Sequence, residues 1–245
     1  MSSDPHWRPR AAFVLAAGLG TRMRHLTGAV PKPMVALNGV PLIDRVLEGI
    51  ADAGIARAVV NVHYLADVLE THLSPRVRPQ IIISDERGVL LDTGGGVMKA
   101  WPQLNSGPFL IHNSDSVWIE GVGRNIDRLC AAWNPDTMDS LMLLATAAHS
   151  IGYEGCGDFG MDGEGRLSRR VPGSQAPFVF AGVSIAHPRL FDGALEGAFS
   201  LNRVWDEAIV RGRLFGVRLE GTWMHVGTPE AGVEAEQLIT REEVR

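Results

Sequence analysis

Residues 11–17, AAFVLAA, carry no polar side chain and run straight into Gly18. A strand that is apolar on both sides of its two-residue period has to be covered on both faces, the situation of a central strand in a parallel sheet. The segments that follow repeat this demand and alternate with helical spacing. Pro41 precedes Leu42, Ile43, Val46, Leu47 and Ile50, with Gly54 as the stop. RAVVNV (57–62) reads as a strand, YLADVLETHL (64–73) as a helix and QIIIS (80–84) as a strand. TGGGVMKAWPQL (93–104) reads as a helix opened by glycines, and PFLIHNSD (108–115) as a buried strand that ends in polar residues. Strands and helices alternating at these lengths predict βαβ units with right-handed crossovers.

After a helix near 123–133 and a strand SLMLLATA (140–147), the pattern changes. DFGMDGEGRLSRR predicts a hairpin turning at Asp162-Gly163, followed by the long strand FVFAGVSIA (178–186). A helix over 200–212 with Ser200 as its cap, the strands LFGVRLE and TWMHV, and a helix from Pro229 complete the reading. The predicted class is α/β, in one domain over 1–245 with a small β extension.

Bulk properties narrow the function. An apolar content of 45% and a charged content of 21% exclude a disordered or fibrous chain. A formal net charge of −5 argues against nucleic acid as partner, whereas a small anionic ligand needs only a few local cations. The longest apolar run, 141–148, is too short to cross a bilayer, and the N-terminal segment does not read as a signal peptide. Cys130 and Cys156 lack metal-ligand spacing and fit a reducing cytoplasm.

Gly18-Leu19-Gly20 begins like the dinucleotide fingerprint, but Met23 occupies the third glycine position, and Asn61 and His63 stand where a ribose-binding acid belongs. No Gly-Lys-Ser/Thr occurs, so the P-loop fails too. What remains is a flexible loop followed by Arg22, Arg24 and Lys32. On spacing alone, a phosphate cradle and a plain strand-to-helix turn with solvated arginines both stay open.

LAAGLGTRMRHLTGAVPKPMVALNGVPLI closely resembles the signature of the sugar-1-phosphate nucleotidyltransferases, and the likeness continues in order through Asp92-Thr93-Gly94-Gly95-Gly96, Asn113-Ser114-Asp115, FAGVSI and GTWMHVGT. The resemblance implies a Rossmann-like three-layer sandwich with a mostly parallel mixed sheet, of the nucleotide-diphospho-sugar transferase type. It places a nucleotide-binding half over 11–115 and a sugar-phosphate-binding half over 116–245. It implies that a sugar 1-phosphate attacks the α-phosphorus of a nucleoside triphosphate and pyrophosphate leaves. By the same resemblance Ala16, Ala17, Gly18, Leu19, Gly20 and Thr21 meet the triphosphate, Arg22 stabilises pyrophosphate and Lys32 reaches the α-phosphate. Asp92, Thr93, Gly94 and Gly95 fall in the segment that grips the base, and Asp115 corresponds to a ligand of Mg²⁺, with Mn²⁺ as an alternative. Asn113, Asp158 and Gly182 fall at the acceptor pocket, where Trp223 reads first as core.

Two positions depart from the family pattern. His225 stands where many relatives carry a second metal carboxylate, and SRRVP replaces the usual Glu-Lys-Pro, setting Val171 against the lysine with Arg170 beside it. His225 is expected near the metal and Arg170 near the sugar phosphate. Within the family, the short chain, the TGGG segment and the GDF…FAGVSI region most resemble enzymes that uridylylate N-acetylmuramate 1-phosphate in cell-wall recycling. Those that guanylylate mannose 1-phosphate come second, and a catalytically silent sugar-nucleotide sensor, monomeric or homodimeric like the others, is the reading from another class.

Overall fold

The computed structural model describes residues 7–23, 30–147, 150–194 and 196–243. In chain order the elements are β1 (Ala11–Leu15), β2 (Ala36–Leu37), β3 (Val40–Pro41), α1 (Leu42–Asp52), β4 (Arg57–Val62), α2 (Ala66–Leu73), β5 (Gln80–Asp85), α3 (Asp92–Lys99) and α4 (Trp101–Leu104). They continue with β6 (Phe109–Asn113), β7 (Ser116–Glu120), α5 (Asn125–Ala132), β8 (Ser140–Thr146), β9 (Phe159–Met161), β10 (Leu167–Arg169) and β11 (Phe178–Ala186). The last are α6 (Leu201–Val210), β12 (Leu214–Arg218), β13 (Gly221–His225) and α7 (Pro229–Glu243).

Nine strands of the described residues form one mixed sheet. β5, β4, β1 and β6 run parallel, β11 lies antiparallel to β6, β8 antiparallel to β11, and β12 parallel to β8. The β9–β10 hairpin joins the N-terminal end of β11 through the pair Phe178 and Phe159. β1 shows why its sequence is apolar throughout: Ala12 and Val14 enter the core beneath α1, α2 and α5, while Ala11 and Phe13 enter the core beneath α3 and α6. A third cluster, with Leu42, Val117, Met224 and Ile239, seats α7 against a small antiparallel sheet of β7 and β13.

Several expected boundaries move for physical reasons. β1 stops at Leu15, two residues before the apolar run ends, because the Ala16 and Ala17 N–H groups turn to the side chain of Asn61. The helix expected over 93–104 divides at Ala100, and Pro102 sits in the first turn of its second piece. The hairpin does not turn on Asp162-Gly163 alone. Its strands are separated by residues 162–166, and Asp162 Oδ1 accepts the N–H of both Glu164 and Arg166. β7, which follows a polar Asn-Ser-Asp, gave no clear signal, and the expected strand 108–115 ends instead at Asn113.

β1 is flanked by β4 on one side and β6 on the other, so the chain reverses its direction of crossing at β1. A crevice opens at the carboxyl ends of such strands, where ligands of open α/β sheets collect.

Candidate active site

The crevice is a cleft of about 550 Å³ whose walls come from the loop after β1, the start of α3 and the end of β6. Ala16, Ala17, Gly18, Gly20 and Thr21 line one wall. The N–H groups of Ala16 and Ala17 are already committed, donating to Asn61 Oδ1 at 2.7 and 3.1 Å. Among the described residues no acceptor meets the N–H of Gly18 or Leu19, so the loop's open amides begin there. Gly20 has φ +60°, which a side chain would strain. Arg22 lies in the 3-10 turn Thr21–Met23. Its side chain, and Arg24 altogether, lie outside the described residues.

Asp92 and Thr93 line the opposite wall. Asp92 sits at φ +58° with its carboxylate accepting the Thr93 N–H at 2.6 Å, and Thr93 Oγ1 accepts from Leu201 N–H. Gly94 and Gly95 stand behind that wall. Both N–H groups donate to Phe199 O, at 2.8 and 3.2 Å. A Cβ on Gly94 would lie 2.3 Å from the Phe199 ring, and one on Gly95 would lie 2.3 Å from Gly197 O. Close packing against residues 197–199 therefore accounts for these glycines, and their amides are turned from the cleft.

Sequence reasoning passed over the group that joins the two walls. Asn61, noticed only for breaking the dinucleotide pattern, donates through Nδ2 to Glu86 Oε1 at 2.8 Å, and Glu86 Oε2 accepts the Leu91 N–H at 3.1 Å. Glu86 is wholly buried. One carboxylate thus ties the loop after β1 to the segment before α3 through four hydrogen bonds made by itself and Asn61.

Lys32 follows Pro31 in a short turn, and its Nζ donates to Asp115 Oδ2 just past β6. Burial resists ionisation of Asp115, but the Lys32 charge and hydrogen bond, with His225 adding to them, outweigh it and hold the carboxyl below its ordinary value. Antiparallel pairing sets His225 opposite Ser116 and therefore beside Asp115. Its ring stacks on Trp223 at 5.7 Å, and a Cβ on Gly227 would collide with it at 2.7 Å. No group of three or more His, Cys, Asp or Glu side chains converges among the described residues. The Asp115 carboxylate suits a hard divalent ion that takes its remaining oxygens from phosphates and water, as Mg²⁺ does, whereas an imidazole is a poor ligand for such an ion.

A second pocket of about 260 Å³ shares Asn113 and Asp115 with the first. Gly182 forms part of its wall at φ +82°, where β11 bulges, and a Cβ there would lie 2.7 Å from Ser116 and 3.2 Å from Asn113. Asp158 lines it too and spends Oδ2 on the Phe180 N–H at 2.9 Å. Trp223 is buried with its Nε1–H bonded to Ser116 Oγ, as the core reading expected, and it also lines this pocket. Arg170 is the correction: its guanidinium donates to Gly157 O and Ser174 O, fastening a turn, and it does not line the pocket. Val171 is exposed. The cation in the pocket is Arg169, one residue earlier and on the other side of the strand.

Known proteins resemble this chain in sequence and in fold. Residues 12–188 match the family described as the MobA-like NTP transferase domain. The chain is 44% identical over 232 residues to the N-acetylmuramate alpha-1-phosphate uridylyltransferase of Caulobacter vibrioides, covering 93% of this chain and 96% of that one. It is 32% identical over 235 residues to the protein of the same name from Neisseria meningitidis serogroup B, covering 93% and 97%. Among solved structures, the inositol-1-phosphate CTP transferase of T. maritima superposes with a TM-score of 0.75 at 20% identity over 95% of each chain, a likeness of fold. No described helix is long and apolar enough to cross a membrane.

Proposed function

The chain belongs to the MobA-like NTP transferase family, and from that premise we propose that it transfers a uridylyl group from UTP to N-acetylmuramate 1-phosphate, releasing pyrophosphate. The observation that carries this reading is the pair of pockets that meet at Asn113 and Asp115. A nucleotide in the first and a sugar phosphate in the second bring the acceptor oxygen and the α-phosphorus together beside Lys32, which lines the first pocket.

An oxygen of the sugar phosphate forms a bond to the α-phosphorus while the bond from that phosphorus to the β-phosphate oxygen breaks. Three anionic groups crowd one place as this happens. The Lys32 ammonium, partly buried, supplies a charge that is preset rather than recruited from solvent, and Arg22 follows the open loop in the chain as a second cation for the leaving pyrophosphate. The Gly18 and Leu19 amides offer donors to the triphosphate. Asp115 would hold Mg²⁺ together with substrate phosphates, and His225 would support that carboxylate from the side. When bound, the ion supplies further neutralisation of phosphate charge. In the cell the product would serve cytoplasmic cell-wall recycling.

Pyrophosphate release measured over four nucleoside triphosphates and several sugar 1-phosphates tests the proposal. UTP with N-acetylmuramate 1-phosphate is the expected pair. A preference for GTP with mannose 1-phosphate overturns it, as does tight nucleotide binding without turnover. Lys32→Ala should lower kcat by about 10²- to 10³-fold with the circular dichroism spectrum unchanged.

A further inference from the structure

Among the described residues that line the acceptor pocket, Arg169 is the one permanently charged cation. It ends β10 and pairs with Phe159, which pairs with Phe178 at the start of β11. Gly182, four residues further along β11, packs against Asn113. In the sheet, β9 and β11 lie between β10 and β6, so Arg169 and Asp115 enter the pocket from opposite sides.

The guanidinium is held in one orientation from two sides. It lies 4.8 Å from the centre of the Phe159 ring, Nε donates to Asp206 at 2.6 Å, and Nη2 donates to Asn202 Oδ1 at 2.9 Å and to Asn202 O at 3.3 Å. Among the described residues no acceptor meets Nη1, and the side chain is about one-third exposed. Asp206 is more than half exposed, so its pairing with Arg169 is weak compensation for the charge. A guanidinium held in one orientation, with only its Nη1 N–H groups open, can still donate to a carboxylate.

We propose that Arg169 determines acceptor specificity by binding a second anionic group, a carboxylate, on the sugar 1-phosphate. This rests on the functional reading above, because N-acetylmuramate bears a lactyl ether on its C3 oxygen, whose carboxylate is a second anionic group apart from the C1 phosphate. The phosphate end lies beside Asp115 and the carboxylate end meets Nη1. A sugar lacking the carboxylate leaves the Arg169 charge unanswered in the pocket.

Steady-state kinetics on the full chain decide the matter, with N-acetylmuramate 1-phosphate compared with N-acetylglucosamine 1-phosphate, which lacks only the lactyl group. Arg169→Gln should raise KM for the first by about 10- to 100-fold and change KM for the second far less, so that the preference between the two acceptors collapses. Arg169→Lys should fall between. Asp206→Asn, which removes the charge from the tie to α6 but keeps the guanidinium and its bonds to Asn202, should preserve the discrimination. If Asp206→Asn reproduces the effect of Arg169→Gln, or if Arg169→Gln weakens both acceptors alike, Arg169 is a structural clamp and the proposal falls. If the wild type ignores N-acetylmuramate 1-phosphate, the functional reading fails separately. Glucuronate 1-phosphate against glucose 1-phosphate then tests Arg169: selectivity for the former that Arg169→Gln abolishes sustains the proposal, and equal use overturns it.

Discussion

His112 carries its imidazole in the middle of β6, fully buried and stacked on Trp118 at 5.5 Å, with Nδ1 2.8 Å from Asn113 O. Burial pushes its pKa down to about 4, against the pull of the Asn113 carbonyl and of Asp115. Between that value and the ordinary 6.5, the unfolded chain binds a proton that the native state refuses. Stability from this group is therefore complete above pH 6.5 and drains away as pH falls toward 4, by up to about 3 kcal/mol. His187, held down by burial and by Arg189, has the same sign. Urea unfolding at pH 7 and pH 5 should show the loss in the wild type and a smaller one in His112→Phe; equal losses would refute the assignment. The glycines of residues 94–96 illustrate a different residue-scale point. Their presence is plain in the sequence, but the reason for them is the Phe199 ring, the Gly197 carbonyl and, for Gly96, Glu86 Oε1 at 2.8 Å from a Cβ. Partners that far along the chain leave no periodic trace.

At the scale of elements, the cleft depends on how the loop after β1 is tied to the segment before α3. Asn61→Ala would strip the acceptor from two buried N–H groups and leave Glu86 short of a donor, at about 1–3 kcal/mol for each group left unsatisfied. We expect a loss of stability in denaturant together with weaker UTP binding by calorimetry, since the walls are no longer held in register. Unchanged UTP affinity in a folded Asn61→Ala protein would show that the tie does not position the cleft. Most elements were legible beforehand: RAVVNV coincides with β4 and FVFAGVSIA with β11, because strands buried on both faces are apolar at most of their positions. β7 was not, since Ser116 and Glu120 bracket three apolar residues and nothing local distinguishes that pattern from a loop. Its pairing with β13 is what supplies its order.

The whole molecule decides the surroundings of Asp115. Lys32 arrives from the loop after β1, Asp115 from the end of β6 and His225 from a separate two-stranded sheet, and the sum of their charges sets the carboxylate. Replacing His225 by Asp puts a second carboxylate where a supporting cation or neutral ring stood, which raises the cost of ionising Asp115. His225→Asp should be less active than the wild type with Mg²⁺, with an altered ratio of Mg²⁺ to Mn²⁺ activity. Equal or greater activity would show that the imidazole has no selected part in the site. By itself the sequence determined the alternation of buried strands and helices, the glycine loop at the end of the first strand and the order of the motifs, because each is written in neighbouring residues. Tertiary structure alone decided that Arg169 rather than Arg170 enters the second pocket and that Asn61 and Glu86 join the cleft walls. Adjacent residues on a strand face opposite ways, and strand pairings between distant segments exist only once the chain has closed on itself.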